Sequence, residues 1–227
     1  MKELINNLRD YAELAQASYF NFMYINNDER EMDSYKIGQN RFPKDKDNIE
    51  NLEYTKTLSK KYKDYFIYDD SIALYPTLNG EFGEIQAKNF AKKYEIKFHQ
   101  PNTASGFSAT LFYDKEKDEF IVGFRGTETD NFISSIQDIV QDITLSLNGN
   151  IQSSSLLEFL EQVNKIIKNE NKSIIFVGHS LGGYLAQMAL IYCDIKYKDK
   201  LSFSPNEVYT FNSPSVYGWN FPNIAIF

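Results

Sequence analysis

The stretch SIIFVGHSLGGYLAQMALIY, residues 173–192, constrains the fold more than any other part of the sequence. It begins with an apolar run typical of a buried strand, and an apolar run with helical spacing follows within a few residues. Gly178 and Gly182 lie two residues before and two residues after Ser180, in the pattern G-x-S-x-G. Because a sharp strand-to-helix turn leaves no space for side chains across it, these glycines predict a nucleophile elbow with Ser180 at its tip.

The position of Ser180 at the start of a helix indicates how negative charge near it would be stabilised. Backbone N–H groups at a helix N-terminus favour nearby anions, so the N–H of Leu181 is the first candidate donor to an oxyanion. A second donor is needed, and we expect it from a loop after another strand. The apolar run DEFIVGF stops on R-G-T, which makes the Thr127 N–H the second candidate. His179 is expected to pack or orient the elbow rather than act as a base, because adjacent side chains at a sharp turn point apart.

Strands alternate with helices in the second half of the chain. SIIFVGHS and NEVYTFNSPSV are typical of strands, whereas LGGYLAQMALIYC and SSLLEFLEQVNKIIKNE have apolar residues at helical spacing. Residues 132–143, within NFISSIQDIVQDITLSL, show the same spacing and predict a further helix. This alternation predicts βαβ units and a mainly parallel sheet with helices on both faces, so the fold class is α/β.

The first half of the chain predicts fewer regular elements. MKELINNLRDYAELAQASYF and FGEIQAKNFAKKYEI predict amphipathic helices. Two apolar runs, residues 107–112 and 120–124, flank a charged turn at 114–118 and predict a β-hairpin. Residues 26–70 are polar and weakly periodic, so we expect an insertion of loop with short helical pieces. At this length we expect residues 1–227 to form a single domain.

Composition excludes several classes of function. The net charge of −7, from 24 Lys and Arg against 31 Asp and Glu, argues against a nucleic-acid binder. The single cysteine, Cys193, permits no internal disulfide and is expected to be a buried small hydrophobic residue. With only two histidines and no calcium-loop pattern, we predict no metal and no cofactor.

The sequence also bears on membranes and export. No run approaches the 18 or so consecutive apolar residues of a membrane span, so we expect no transmembrane segment. The N-terminal stretch carries charges among its apolar residues and has no apolar core of signal-peptide type. We therefore expect a cytoplasmic protein, or one exported by a route that needs no cleavable signal peptide.

The motifs together resemble a known family. GHSLGG, preceded by IIFV and followed by YTFNSPSV, with FIVGFRGTE and YAELAQASY upstream, resembles the class 3, fungal-lipase-like family of α/β-hydrolases, and specifically its bacterial branch. The resemblance covers the first helix and residues from about 82 to 218, and implies an α/β-hydrolase fold. It implies that Ser180 is the nucleophile, that Thr127 and Leu181 form the oxyanion hole, and that the substrates are esters of acylglycerols or phospholipids.

The sequence departs from this family after the serine. In α/β-hydrolases the catalytic residues follow the order Ser, then Asp or Glu, then His. After Ser180 the only acids are Asp194, Asp199 and Glu207, all before or at the start of the strand that ends near Phe211. In the family the acid follows that strand, and here no histidine follows the elbow. Neither the acid nor the base can be assigned from the sequence.

Three explanations remain open at this point. The chain ends before the strands that carry acid and base, in which case we expect a complementing C-terminal segment or a second copy to supply them. Alternatively, His99 in KFHQPN serves as the base from an unusual position. In the third explanation the protein is a catalytically incomplete hydrolase-fold fragment or pseudoenzyme that binds an acyl ligand or a protein partner. The same elbow also serves thioesterases, peptidases and acyltransferases, so the fold alone does not define the substrate.

Overall fold

A sheet of six strands carries the segment around Ser180. The computed structural model describes residues 2–25, 35–41, 49–68, 76–104, 106–126, 151–216 and 224–226. In chain order the elements are α1 (Lys2–Ala17), β1 (Lys36–Gly38), β2 (Glu50–Asn51), α2 (Tyr54–Leu58), a 3-10 turn (Lys60–Tyr62), β3 (Phe66–Tyr68), α3 (Glu84–Lys93), β4 (Tyr94–Gln100), β5 (Ala109–Asp114), β6 (Glu119–Phe124), α4 (Ile151–Ile167), β7 (Ile174–His179), α5 (Leu181–Ile191), a π-helical turn (Tyr192–Lys196), β8 (Glu207–Phe211) and β9 (Ile224–Ile226).

The strands of the main sheet lie in the order β4-β5-β6-β7-β8-β9. The pairs β4–β5 and β5–β6 are antiparallel, whereas β6, β7, β8 and β9 run parallel. Phe124 lies opposite Gly178, and Gly178 lies opposite Thr210. Strands β6, β7 and β8 therefore end together at one edge of the sheet, here called the carboxyl edge, and begin together at the opposite, amino edge. The mainly parallel sheet predicted from the sequence is confirmed.

Helices cover both faces of this sheet. On one face α1 buries Tyr11, Leu14 and Ala15, at the three-to-four-residue spacing of one helical stripe, against residues of β6 and β7. On the other face α5 and α4 bury a second stripe. The residues of α4 in this second core are Leu156, Phe159, Leu160, Val163 and Ile167. Burial on both faces explains why the strands read as continuous apolar runs rather than alternating ones.

The predicted hairpin is formed by β5 and β6, which pair from Ala109 with Phe124 to Asp114 with Glu119. Asp114 is buried, and its Oδ1 accepts hydrogen bonds from the backbone N–H groups of Glu116 and Lys117 at 2.8 and 3.0 Å. A side chain that caps its own turn in this way is a common reason for Asp at such positions. The predicted helices at the N-terminus, before β4 and before β7 are also confirmed, as α1, α3 and α4.

The expectation for residues 26–70 was partly wrong. In the described parts of this segment three short strands form an antiparallel sheet in the order β2-β1-β3. Its small core consists of Tyr24, Ile37, Leu52, Ile67 and Leu78. These residues come from five separate places in the chain, and strands of two or three residues are too short to show an alternating pattern. The helix predicted over residues 132–143 lies outside the described residues.

Cys193 is 2% exposed, which confirms it as a buried small residue, and burial raises the pKa of its thiol. Of the helices in the described ranges, none combines the length and the apolar character needed to cross a membrane.

A substitution at Phe159 tests the packing of the core between α4 and the main sheet. The Phe159 ring is 1% exposed and contacts the rings of Phe98, Phe107 and Phe124, with centroids 5.6, 5.8 and 6.2 Å away. We expect Phe159→Ala to lower the free energy of unfolding by about 3–5 kcal/mol in urea denaturation. Ile166→Ala is the control on the same helix, since Ile166 is 40% exposed, and should cost about 1 kcal/mol or less. Equal losses in the two variants would contradict this account of the core.

Candidate active site

Ser180 lies between the end of β7 and the start of α5, with φ 55° and ψ −126°. A non-glycine residue in such a conformation costs about 1–3 kcal/mol, so the surrounding structure must hold it. The Ser180 N–H donates to the carbonyl of Phe211 on β8 at 3.0 Å. Its own carbonyl accepts from the N–H groups of Gly183 and Tyr184 in the first turn of α5. Bonds on both sides therefore maintain the backbone conformation expected of a nucleophile elbow.

The glycines around Ser180 are required by close backbone approach. A Cβ on Gly178 would lie 2.2 Å from the carbonyl oxygen of Gly182, and a Cβ on Gly182 would lie 2.1 Å from that of Phe124. A Cβ on Gly183 would lie 2.6 Å from the side chain of Ser213. The first two neighbours are backbone atoms that cannot rotate away. Strand β7, helix α5 and the end of β6 are thus in direct backbone contact around the serine.

Of the two predicted oxyanion donors, the structure describes only Leu181. Leu181 is the first residue of α5, so its N–H is among the groups at a helix N-terminus that have no intrahelical acceptor. Thr127 lies outside the described residues. The last described residue before it, Gly126, lies beside the elbow, because a Cβ there would be 2.8 Å from the carbonyl oxygen of His179. The chain leaves β6 next to Ser180, and the donor role of Thr127 stays a prediction.

His179 contacts Tyr19, from the segment directly after α1. The Tyr19 hydroxyl lies 3.1 Å from Nδ1 of His179 and 3.3 Å from its carbonyl oxygen. The imidazole is half-buried, and this burial lowers its pKa, which favours the neutral ring. Tyr19 is the last residue of the segment YAELAQASY, and the sequence alone indicates no role for it. No local pattern could have found this contact, because it joins residues 160 positions apart.

His99 does not meet Ser180. It lies on β4, with β5 and β6 between it and β7, which at about 4.8 Å per strand separates β4 from β7 by about 14 Å. Its Nδ1 lies 2.9 Å from Oγ1 of Thr110, and its ring packs edge-on against Phe22. Burial, with a smaller effect of the nearby Arg125 charge, lowers the pKa of His99 to about 4. The alternative in which His99 is the base is therefore wrong for this structure.

The three acids that follow Ser180 also lie far from it. Glu207 begins β8 and pairs with Ile175, five residues before the serine, or about 16 Å along the strand. Asp194 lies in the π-helical turn at the far end of α5, and Asp199 lies in the connection from there to β8. All three are at the amino edge of the sheet. None of them can orient a base at Ser180.

The chain that leaves β8 is held over α5 by Gln187, a buried residue that no motif in the sequence indicates. Its Nε2 lies 2.9 Å from the carbonyl oxygen of Pro214 and 3.3 Å from Oγ of Ser213. Its Oε1 accepts from the N–H of Val216 at 3.1 Å. Asn212, with φ 46°, makes the turn between β8 and this segment. The exit of β8 is therefore fixed at the carboxyl edge, on the side of the elbow.

A metal centre is not part of this arrangement as far as the structure describes it. Within the described ranges no group of three or more His, Cys, Asp and Glu side chains is arranged to hold a metal ion.

The strand order, the two helical layers and the elbow at the carboxyl edge define an α/β-hydrolase fold. A family model described as Mbeg1-like matches residues 77–220, more than half of the chain, and the chain belongs to this family. A comparison with curated protein sequences gave no match.

Three fungal lipase structures are similar to the chain. The Lip2 lipase of Yarrowia lipolytica is 21% identical over 57% of this chain and 49% of its own, with a TM-score of 0.41. Lipase II of Rhizopus niveus is 21% identical over 57% and 52%, with a TM-score of 0.39. A triacylglycerol lipase of Penicillium expansum is 18% identical over 53% and 51%, with a TM-score of 0.37. The chain spans about half the length of these lipases.

The elbow predicts that Gly178 does not tolerate a side chain. Gly178→Ala should lower the free energy of unfolding by about 1–3 kcal/mol, because the backbone around Gly182 must move to admit the methyl group. Gly83→Ala is the matched control, since a Cβ there meets nothing within 4 Å, and should change stability by about 0.5 kcal/mol or less. Chemical denaturation of both variants measures the difference. A Gly178→Ala protein as stable as the wild type would show that the elbow is looser than described.

His99 predicts a pH dependence of stability. The pKa of its ring is about 4 in the folded protein and 6.5 in a model peptide, so between these values the unfolded chain binds a proton that the folded chain does not. The free energy of unfolding is therefore highest, as far as His99 is concerned, above about pH 6.5. It falls as the pH is lowered, by about 2 kcal/mol between pH 7 and pH 5.

The His99→Gln variant provides the comparison for this effect. Denaturation at pH 7 and pH 5 should show a smaller loss in the variant than in the wild type, by about 2 kcal/mol. Equal losses in the two proteins would mean that His99 titrates normally when folded.

Proposed function

We propose that the chain is the nucleophile-bearing part of a serine ester hydrolase that acts on lipid esters, either acylglycerols or phospholipids. The observation that carries the proposal is Ser180 in a strained elbow at the carboxyl edge, followed directly by a helix N-terminus. The lipid substrate class rests on the resemblance of GHSLGG and FRGTE to class 3 lipases. In this proposal residues 1–227 belong to one hydrolase domain with an insertion at about 26–70.

The proposed reaction proceeds through an acyl-enzyme. Oγ of Ser180 attacks the ester carbonyl carbon while a base takes the hydroxyl proton, and the carbonyl oxygen becomes an oxyanion. The N–H groups of Leu181 and Thr127 bind this oxyanion, and loss of one such donor typically costs about 3 kcal/mol of transition-state stabilisation. The alcohol leaves with the proton from the base. Water, deprotonated by the same base, then attacks the acyl-enzyme and releases the carboxylic acid.

We propose that the base and its carboxylate partner come from residues outside this chain. The chain has two histidines, of which His99 is three strands away and His179 has its Nδ1 against Tyr19. The three acids after Ser180 lie at the amino edge. A complementing C-terminal segment or a second copy would have to bring an imidazole to the carboxyl edge. Among the described strands β9 is the outermost on that side of the sheet, so a further strand from such a segment would pair with β9.

A second candidate function follows from the same separation of acids and serine. Without a base, the hydrolase fold would bind an acyl ligand or a protein partner and would not hydrolyse esters. This candidate predicts that Ser180 stays unreactive even when a small base is supplied.

The first experiment compares Ser180→Ala with the wild type after exposure to a fluorophosphonate, using intact-mass analysis with and without free imidazole. A mobile base can replace a missing catalytic imidazole, and general bases contribute about 10²–10⁴ to such reactions. We expect slow labelling alone, labelling faster by about tenfold or more with imidazole, and none in Ser180→Ala. Ser202→Ala, an exposed serine on a loop, is the control and should label like the wild type.

Labelling that persists in Ser180→Ala would overturn the proposal, because another residue would then be the nucleophile. A folded wild-type protein that stays unlabelled with imidazole present would favour the binding function. Hydrolysis of p-nitrophenyl butyrate and of phospholipid vesicles under the same conditions then separates the substrate classes.

A further inference from the structure

The hydroxyl of Tyr19 lies between the two backbone segments that would form the oxyanion hole. On one side are Nδ1 and the carbonyl oxygen of His179, at 3.1 and 3.3 Å. On the other side is Gly126, where a Cβ would be only 2.2 Å from the Tyr19 hydroxyl oxygen. The same virtual Cβ would lie 2.8 Å from the carbonyl oxygen of His179. One hydroxyl group therefore fills the space between the exit of β6 and the elbow.

Hydrogen bonds with Asn79 fix the backbone around Tyr19. Its carbonyl oxygen accepts a hydrogen bond from Nδ2 of Asn79 at 2.7 Å. Oδ1 of Asn79 in turn accepts from the N–H of Asn21 at 2.6 Å. Asn79 directly follows Leu78, which belongs to the core of the small β1–β3 sheet. The backbone around Tyr19 is thus anchored on a separate part of the structure.

We propose that Tyr19 is a positioning residue that sets the distance between Gly126, at the end of β6, and the elbow. The two proposed oxyanion donors directly follow these segments in sequence, Thr127 after Gly126 and Leu181 after Ser180. The inference rests on the proposed function, because those groups matter only if Ser180 reacts. The Tyr19 hydroxyl donates its one proton either to Nδ1 of His179 or to the His179 carbonyl oxygen, and in the second case a protonated Nδ1 donates to the Tyr19 oxygen. In both arrangements the oxygen stays bonded to the elbow residue and packed against Gly126.

The aromatic ring of Tyr19 without its hydroxyl would not bond to the elbow. Tyr19→Phe keeps the aromatic ring, whose Cζ lies 3.2 Å from the position of a Gly126 Cβ, but removes the oxygen that bonds to His179. The β6 exit and the elbow therefore lose the hydroxyl that contacts both. Two backbone hydrogen bonds report on these segments: Arg125 N–H to the carbonyl of Ser108 at 3.0 Å, and Ser180 N–H to that of Phe211 at 3.0 Å. Their amide hydrogens should exchange faster in the variant.

Tyr11 provides a matched control on the same side of the sheet. Its hydroxyl donates to Oε1 of Glu119 at 3.1 Å, at the amino edge. Glu119 and Phe124 are the two ends of β6, about 17 Å apart. The nearby reporter is the Phe120 N–H, which donates to the carbonyl of Ser173 at 2.9 Å. Tyr11→Phe removes an equivalent atom from the opposite edge.

The test is hydrogen exchange of Arg125, Ser180 and Phe120 by NMR in the wild type and both variants. A lost hydrogen bond of ordinary strength predicts exchange about fivefold faster at Arg125 and Ser180 in Tyr19→Phe, with Phe120 unchanged. Tyr11→Phe should accelerate Phe120 alone. Equal acceleration of all three amides in Tyr19→Phe would mean general destabilisation and would overturn the inference. So would unchanged exchange at Arg125 and Ser180.

The stability cost of a substitution at Gly126 gives an independent test of the Tyr19 contact. In the wild type, Gly126→Ala places a methyl group against the Tyr19 hydroxyl, so its cost in stability should fall when Tyr19→Phe removes that oxygen. An equal or larger cost of Gly126→Ala in the Tyr19→Phe background would contradict the proposed contact. Should Tyr19→Phe fail to fold, the wild-type Tyr19 hydroxyl proton still tests it. This proton should exchange slowly and show a nuclear Overhauser effect to the His179 ring, and a freely exchanging hydroxyl would overturn the inference.

The phosphonate reaction separates this inference from the proposed function. With imidazole present, Tyr19→Phe should slow the labelling of Ser180 by about fivefold or more, whereas Tyr11→Phe should leave it unchanged. If the wild type does not react but the exchange pattern appears, the proposed function fails and the positioning contact stands. If the wild type reacts and Tyr19→Phe reacts equally fast, the positioning role fails and the proposed function stands.

Discussion

The close approach of backbone atoms around Gly178 and Gly182 is the constraint on which the rest of the site depends. It allows the first turn of α5 to rest against the end of β6, where the missing side chain of Gly182 leaves room for the carbonyl of Phe124. That contact sets the start of the helix directly after the strand and forces Ser180 into its positive φ. It also brings the exit of β6 beside the serine. The conformation of Ser180, the position of the helix N-terminus and the position of Gly126 are therefore consequences of one packing arrangement.

The two edges of the main sheet are stabilised by different interactions. At the amino edge Nζ of Lys93 bridges Asp10 and Asp114, at 2.6 and 3.5 Å. Burial opposes ionisation of Asp10, but hydrogen bonds from Lys93 and Arg9 lower its pKa overall. At the carboxyl edge Tyr19, Gln187 and backbone atoms make hydrogen bonds between neutral groups around the elbow. The acids that follow Ser180 lie at the amino edge, at the opposite end of β7 from the serine.

Local patterns predicted the elements whose partners are near in sequence. The elbow, the β5–β6 hairpin and the amphipathic helices each have a short signature, and each is present as expected. The contacts that were missed join distant residues. Tyr19 meets His179 across 160 positions, and the small sheet gathers its core from five separate places. The distance of His99 from the site was also invisible, because strand order depends on pairing that a single sequence does not reveal.

The most direct measurement of the central claim is a crystal structure of the protein with a phosphonate attached to Oγ of Ser180. The account predicts that the phosphonyl oxygen lies about 2.7–3.1 Å from the backbone nitrogens of both Leu181 and Thr127. It also predicts that the Tyr19 hydroxyl keeps its contact with His179. A phosphonyl oxygen that points to solvent, away from the start of α5, would contradict the claim that this elbow carries an oxyanion hole.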